Sequence, residues 1–360
     1  MDKRVILASA GSGKTYYITH SIEPTERAYI ISFTNRNVEN IIRELNNYYS
    51  NTIPNNIIVS TFDTFVFHQL IKPYSNILKI VDKKILGVDV ISKPEADGRS
   101  LNYQPVLSSA HYMNSNQQLY VNRMSKLFIK QPTSIKNIIL RRLEKYCDSI
   151  YFDEFQDYNG NDFKVLKYIF QKSNLHITAV GDMFQSLVAP IRHDGNGSNH
   201  PFGIINTVAD LRGCFSNDIE FDTVTLNNSR RITKKIAEFI KGYLNINIGS
   251  ISEFDGDLVW VDCIDDINEL MLNKNIPKLV WSKSSIISPM INCVNWSYSK
   301  GDTYKESCII LTNETSDLSK WNRLSSSTRN KLYVALTRSK GNVYLITKEN
   351  FDNWKQSLVN

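Results

Sequence analysis

The chain lacks long hydrophobic runs, paired cysteines and clustered histidines, and each absence removes a class of function. No apolar stretch approaches the ~20 residues of a membrane-spanning helix, so no membrane partner is expected. The five cysteines, Cys147, Cys214, Cys263, Cys293 and Cys308, are far apart and show no C-x-x-C spacing. They read as reduced, buried thiols and not as a disulfide framework. The six histidines form no H-x-x-x-H pair, which argues against a protein-bound zinc. There is no internal repeat beyond a general alternation of β and α patterns. Met1-Asp2-Lys3-Arg4 leads straight into an apolar run, so no secretory leader is expected and a cytoplasmic location is.

The 360 residues, 42% hydrophobic and 22% charged, are enough for two or more domains with real cores. The net charge of +6 is unevenly placed. Between Ile71 and Tyr146, thirteen Lys and Arg face five Asp and Glu, with Tyr74, Tyr103, Tyr112, Tyr120 and Phe128 interspersed. Cations with aromatics are what single-stranded nucleic acids bind, phosphate by charge and base by stacking. A solvated lysine-rich surface has the same composition.

The most informative stretch is Ala8-Ser9-Ala10-Gly11-Ser12-Gly13-Lys14-Thr15. It follows the apolar run Val5-Ile6-Leu7 and precedes a helical pattern, the strand–loop–helix setting of a phosphate-binding loop. Its pattern is G-x-x-x-x-G-K-T with Ala8 at the first glycine. Gly11 and Gly13 let backbone N–H groups curl around phosphates, and the helix start adds partial positive charge. Ala10, Gly11, Ser12, Gly13, Lys14 and Thr15 are therefore expected to hold ATP. Lys14 would reach the β- and γ-phosphates and Thr15 would ligate Mg²⁺.

The first 70 residues alternate β-α-β-α-β, with strands expected near Val5–Leu7, Tyr29–Phe33 and Ile57–Val59. The rhythm breaks at 71–146, which holds Pro73, Pro94 and Pro105 and reads as helical from Leu119 to Tyr146. It resumes with a strand at Ser149–Phe152 and another at His176–Val180. Further apolar runs fall at Leu258–Val261, Leu279–Trp281, Cys308–Leu311 and Val343–Ile346. Such alternation predicts parallel sheets covered by helices.

Two strand ends carry chemistry. Asp153-Glu154 closes the strand at 149–152, so Asp153 is expected to hold Mg²⁺ and Glu154 to polarise the attacking water. Gln185, in Gly181-Asp182-Met183-Phe184-Gln185, would report the γ-phosphate to the acidic pair.

With Asp153–Asp157, Gly181–Ser186 and Tyr333-Val334-Ala335-Leu336-Thr337-Arg338-Ser339-Lys340, the phosphate loop resembles the UvrD/Rep-type superfamily 1 helicases. Weaker matches lie in family order at Ser32–Arg36, Ser60–Phe65, Asn228–Arg230 and Ser299–Tyr304. The resemblance implies an α/β protein with two RecA-like P-loop NTPase domains and ATP in the cleft between them. The first would comprise 1–70 and 147–210, interrupted by a basic, partly helical insertion at 71–146, and the second 211–360. It implies that Arg338 is an arginine finger and that Arg230 is the arginine of the fourth motif, with Arg231 a rival in register. It implies that Phe33, Thr34, Asn35, Thr61, Phe62 and Lys300 line the strand channel, although Phe33 reads equally as a core residue.

The implied activity is ATP hydrolysis coupled to movement on single-stranded or partly duplex DNA, RNA not being excluded. The alternative is a nucleic-acid-stimulated ATPase switch, or a subunit of a repair or anti-phage complex that does not unwind processively. A protein partner such as a nuclease would fit either. The sequence departs from the family at Val188–His193, where an aromatic is usual, and at Ser297 and Thr303.

Overall fold

The computed structural model describes residues 2–92, 94, 103–187, 202, 205, 207–216 and 218–358. They fall into two compact units. The first gathers the described residues of 1–6, 14–181 and 188–222; the second gathers 7–13, 182–187 and those of 223–360.

In the first unit, strands β1 (Lys3–Leu7), β2 (Ala28–Ser32) and β3 (Ile57–Thr61) come before the 71–146 segment. That segment holds a small parallel pair, β4 (Gly87–Asp89) and β5 (Gln118–Tyr120). Strands β6 (Ser149–Asp153), β7 (His176–Gly181) and β8 (Glu220–Asp222) follow. The main sheet has the order β3-β2-β6-β7-β1-β8. Strand β2 pairs in parallel with β3 and β6, β6 with β7, and β1 with β8. All five residues of β2 (AYIIS) and of β6 (SIYFD) are buried, as strands covered on both faces should be. This burial carries Ser32 and Asp153 inward with their strands, which is why two polar groups sit where the sheet ends.

The helices take their places for local reasons. The Thr34 hydroxyl accepts from the Asn37 N–H and starts helix Asn35–Tyr48, whose Ile41 and Leu45 are buried. Of the run expected to be helical from Leu119 to Tyr146, Leu119 and Tyr120 belong to β5; the helical part begins at Val121 with one tight turn and continues as two helices, Met124–Lys130 and Thr133–Tyr146. Pro132 separates the helices, because its ring has no N–H and biases the preceding residue to extended backbone.

In the second unit, β9 (Asn228–Ser229) and β10 (Gly249–Ser250) form a short parallel pair. The larger sheet contains β11 (Leu258–Trp260), β12 (Lys278–Val280), β13 (Cys293–Asn295), β14 (Ser307–Ile310) and β15 (Val343–Ile346). Its order is β11-β15-β14-β12-β13 and its pairings are parallel. The two-residue period divides each strand between two cores. Ile309, Val343 and Leu345 join one with Trp296, Trp321 and helix Lys234–Leu244. Cys308, Ile310 and Ile346 join the other with Phe351 and Trp354 of helix Lys348–Ser357. Helix Ser326–Leu336 is buried nearly all round from Leu332 on, which fixes the residues that follow it.

One buried pair in the 71–146 segment sets a pH limit. His111 is 2% exposed; its Nδ1 lies 2.8 Å from the Gln104 carbonyl and its Nε2 2.9 Å from Nη1 of buried Arg123. The ring must therefore be neutral, with Nδ1–H donating and Nε2 accepting. Burial, first, and Arg123 push its pKa down to about 4, the Gln104 carbonyl opposing. The unfolded chain then takes up a proton near pH 6.5 that the folded chain refuses. Stability is full above that pH and is lost as pH falls from 6.5 toward 4. A shift of this size corresponds to about 3 kcal/mol at its limit. Urea unfolding of wild type and His111→Gln across this window is expected to show a weaker pH dependence in the variant. Parallel curves would contradict the assignment.

Candidate functional site

In the first unit, the end of β6 builds an acid–base pair. Asp153 is 3% exposed, and its Oδ2 accepts from Ser32 Oγ at 3.0 Å. Its Oδ1 is buried with no hydrogen-bond partner among the described residues. Burial, first, and the neighbouring Glu154 charge raise the Asp153 pKa, while Lys14 and Ser32 oppose them. A divalent cation would relieve that burden by favouring the ionised form. The open Oδ1 is thus a fitting oxygen ligand, although no cluster of three metal-binding side chains exists among the described residues.

Glu154 turns the chain with a left-handed backbone, φ 52°. Such a conformation in a non-glycine residue costs of order 1–3 kcal/mol and persists only where the surroundings fix it. Lys14 Nζ lies 3.3 Å from Glu154 Oε1, both side chains being largely buried. Gln156 Nε2 donates to the other oxygen, Oε2. Gln156 is fully buried and lies where a Cβ on Gly181 would be 2.2 Å from its Oε1, so glycine is required there. Thr15 follows Lys14 in helix Lys14–His20 and is partly exposed.

In the second unit, the loop 7–13 is tied down by its backbone. Ser9 N–H donates to Leu226 O at 2.8 Å and Arg230 N–H to Gly11 O at 2.9 Å. Gly11 and Gly13 have φ of 71° and 92°, a region that favours glycine. Ala8, standing at the first glycine of the pattern, is buried, as is Ala10. Ser12 is buried with no hydrogen-bond partner for its Oγ among the described residues.

From this loop a hydrogen-bond chain runs to the arginine. Ala10 N–H donates to Tyr333 OH at 3.1 Å. Tyr333 OH donates to Asp182 Oδ2 at 3.0 Å, which also accepts from Gln185 Nε2 at 2.7 Å. Arg338 Nη2 donates to Gln185 Oε1 at 3.3 Å, and its Nε to Val334 O at 2.9 Å. Arg338 is 1% exposed. Of the two adjacent arginines, Arg231 lies against the loop: its Cβ would meet a Cβ on Gly11 at 2.7 Å, and its Nη1 donates to Thr337 O. Arg230 is exposed, and its backbone N–H is what donates to Gly11 O.

This geometry accompanies similarity to known proteins. Residues 2–189 match the family model AAA_19, described as AAA domain. The chain belongs to the UvrD/Rep-type helicase family. It is 24% identical over 308 residues to the "Probable DNA helicase II homolog" of Mycoplasma capricolum subsp. capricolum, over 69% of this chain and 40% of that protein. Arterivirus nonstructural protein 10 (helicase), solved with DNA, superposes at TM-score 0.51 and 13% identity, over 95% of this chain and 60% of its own. A crystal structure of the same viral helicase gives 0.51 and 12%, over 98% and 61%. These structures show the shared fold. The chain thus spans 40% of the length of the curated relative and 60–61% of that of the viral helicase.

Of the residues expected to line a strand channel, Phe33, Thr34, Asn35 and Thr61 line one cavity of about 650 Å³ in the first unit. Its other walls include Asp63, Phe67 and His68, with Val88, Val121 and Met124 from the 71–146 segment. Phe62 is not on this surface; it is 1% exposed and packs edge-on against Tyr158. Thr34 and Thr61 also cap the helices that follow them. In the second unit, Lys300 is partly exposed beside the turn Ser297–Ser299. Val188–His193, the departure from the family, lies outside the described residues.

The sequence alone did not single out Ser32, Gln156, Asp182 or Tyr333. Tyr333 stands first in the matched stretch Tyr333–Lys340 with no role of its own expected, and its hydroxyl bridges the loop and Asp182. Tyr333→Phe removes that bridge and leaves a buried N–H and a carboxylate oxygen short of a partner. A cost of about 1–3 kcal/mol in stability is expected, read by urea unfolding. An unchanged midpoint would show that water replaces the hydroxyl.

Proposed function

We propose that the chain hydrolyses ATP with Mg²⁺ and couples hydrolysis to binding and moving along single-stranded DNA. The observation that carries this reading is the chain of hydrogen bonds from Ala10 through Tyr333, Asp182 and Gln185 to Arg338. It joins a phosphate-loop backbone N–H to a buried arginine through groups that would sense the γ-phosphate.

Lys14 would neutralise phosphate oxygens, and its ion pair with Glu154 is the contact that nucleotide binding would exchange. Thr15 and Asp153 would hold Mg²⁺, which supplies charge neutralisation on the phosphates when bound. Glu154 would accept hydrogen bonds from the attacking water and take its proton. Arg338, and Arg231 beside Gly11, would stabilise charge growing on the transferred phosphoryl group. Phe33, Asn35 and Lys300, with the basic 71–146 segment, would hold the strand; of that segment's cations, Arg123 is buried and Arg142 Nη1 donates to Gln69 Oε1 outside it.

The test sets strand displacement beside ATP hydrolysis on the same partly duplex DNA. Displacement that scales with hydrolysis supports a motor. DNA-stimulated hydrolysis without displacement supports the alternative, a switch that remodels or signals.

A further inference from the structure

In the second unit, one large aromatic ring stands in water. Tyr298 is 75% exposed, more than any other aromatic side chain among the described residues. It is the middle residue of the turn Ser297–Ser299, directly after β13. A ring so exposed on a mobile loop would mean little, but this turn is fixed from every side. Trp296 beneath it is fully buried, and its Nε1 donates to Leu279 O at 2.9 Å. Ser297 N–H donates to Asn295 Oδ1 at 2.8 Å, and Asn295 Nδ2 to Trp281 O at 2.6 Å. Ser299 Oγ donates to Trp296 O at 2.7 Å, and Asp302 N–H to Ser299 O at 3.0 Å. Gly301, at φ 89°, permits the return.

The backbone that carries the ring therefore needs no ordering when something lands on it. Two residues on is Lys300, a partly exposed cation. Further along the same stretch, Tyr304 N–H donates to Arg338 O at 2.9 Å, so the turn rides on the backbone that places the arginine.

We infer that Tyr298 is a stacking platform for an unpaired nucleobase of the bound strand. The inference rests on the proposed binding of single-stranded DNA and adds to it a base-contacting residue on the second unit. A rigid, exposed ring beside a cation is the pairing that single-strand binding uses: the π-face takes any base and the charge takes the backbone. Because stacking needs a ring and not a hydroxyl, phenylalanine preserves it and alanine removes it.

The test measures affinity of the full chain for a fluorescein-labelled oligothymidylate and for a strand of the same backbone with abasic sites. Wild type is expected to prefer the base-bearing strand. Tyr298→Ala is expected to lose roughly 5- to 150-fold on the base-bearing strand, less than about 2-fold on the abasic one, and to keep its salt slope. Tyr298→Phe is expected to stay within about 2-fold of wild type on both. An equal loss on both strands, or a Tyr298→Phe variant as weak as Tyr298→Ala, overturns the stacking role. Wild-type binding with Tyr298→Ala unchanged overturns it alone and leaves the functional reading standing. Wild type that binds neither strand removes the functional reading and this inference with it.

Discussion

Glu154→Gln is expected to lower kcat for ATP hydrolysis by about 10²–10⁴-fold while leaving nucleotide binding intact. The substitution keeps the size of a largely buried side chain and leaves an amide that the Gln156 Nε2 still meets through its carbonyl. What it removes is the negative charge. A neutral amide neither takes a proton from water nor balances Lys14, 3.3 Å away. Lys14 then turns more readily to phosphate, so affinity for ATP should hold or rise. Steady-state hydrolysis beside fluorescent-nucleotide binding separates the two effects. A variant that turns over normally would remove Glu154 from the chemistry. One that fails to bind nucleotide would make its role structural.

The second large effect is expected at Arg338. Its guanidinium is buried, is held by Val334 O, and touches Gln185. If it stabilises the transferring phosphoryl group, Arg338→Ala should cost on the order of 10³-fold or more in kcat. Removing a buried arginine also weakens packing, so Arg338→Lys is the sharper variant. Lysine keeps the charge but not the planar fork that reaches Gln185 and Val334 at once. Its turnover is expected to fall by about 10²-fold or more with nucleotide affinity within a few-fold and the chain still folded at the assay temperature. Wild-type turnover in Arg338→Lys would show that any cation at this position suffices.

Much of the candidate site was legible because its chemistry falls at the ends of strands that read clearly. Lys14 and Thr15 follow β1, Asp153 and Glu154 close and follow β6, and Gln185 follows β7. Residues of such type at such places have few other uses. The elements that escaped are short. Strand β8 has three residues with acids at both ends, so no apolar run announces it. Strands β4 and β5 are three residues each and pair with each other, β5 also bridging Met113, so neither carries a longer period.

Register was the other obstacle. Arg230 and Arg231 are adjacent, and it is Arg231, on the same side as buried Ser229, that lies against Gly11. The left-handed turn at Glu154 and the Tyr333 bridge depend on neighbours far along the chain, which no local pattern encodes. Phe62 shows the converse: it shares a motif with Thr61, yet one residue along the chain moves a side chain from the cavity wall to the core.

The account turns on whether a single strand of DNA drives this chain to hydrolyse ATP. The measurement is steady-state ATP hydrolysis by the full chain with Mg²⁺, with and without single-stranded DNA, beside the Glu154→Gln variant. The account predicts strong stimulation by the strand and its loss in the variant. Hydrolysis indifferent to the strand, or equal in the variant, would contradict it.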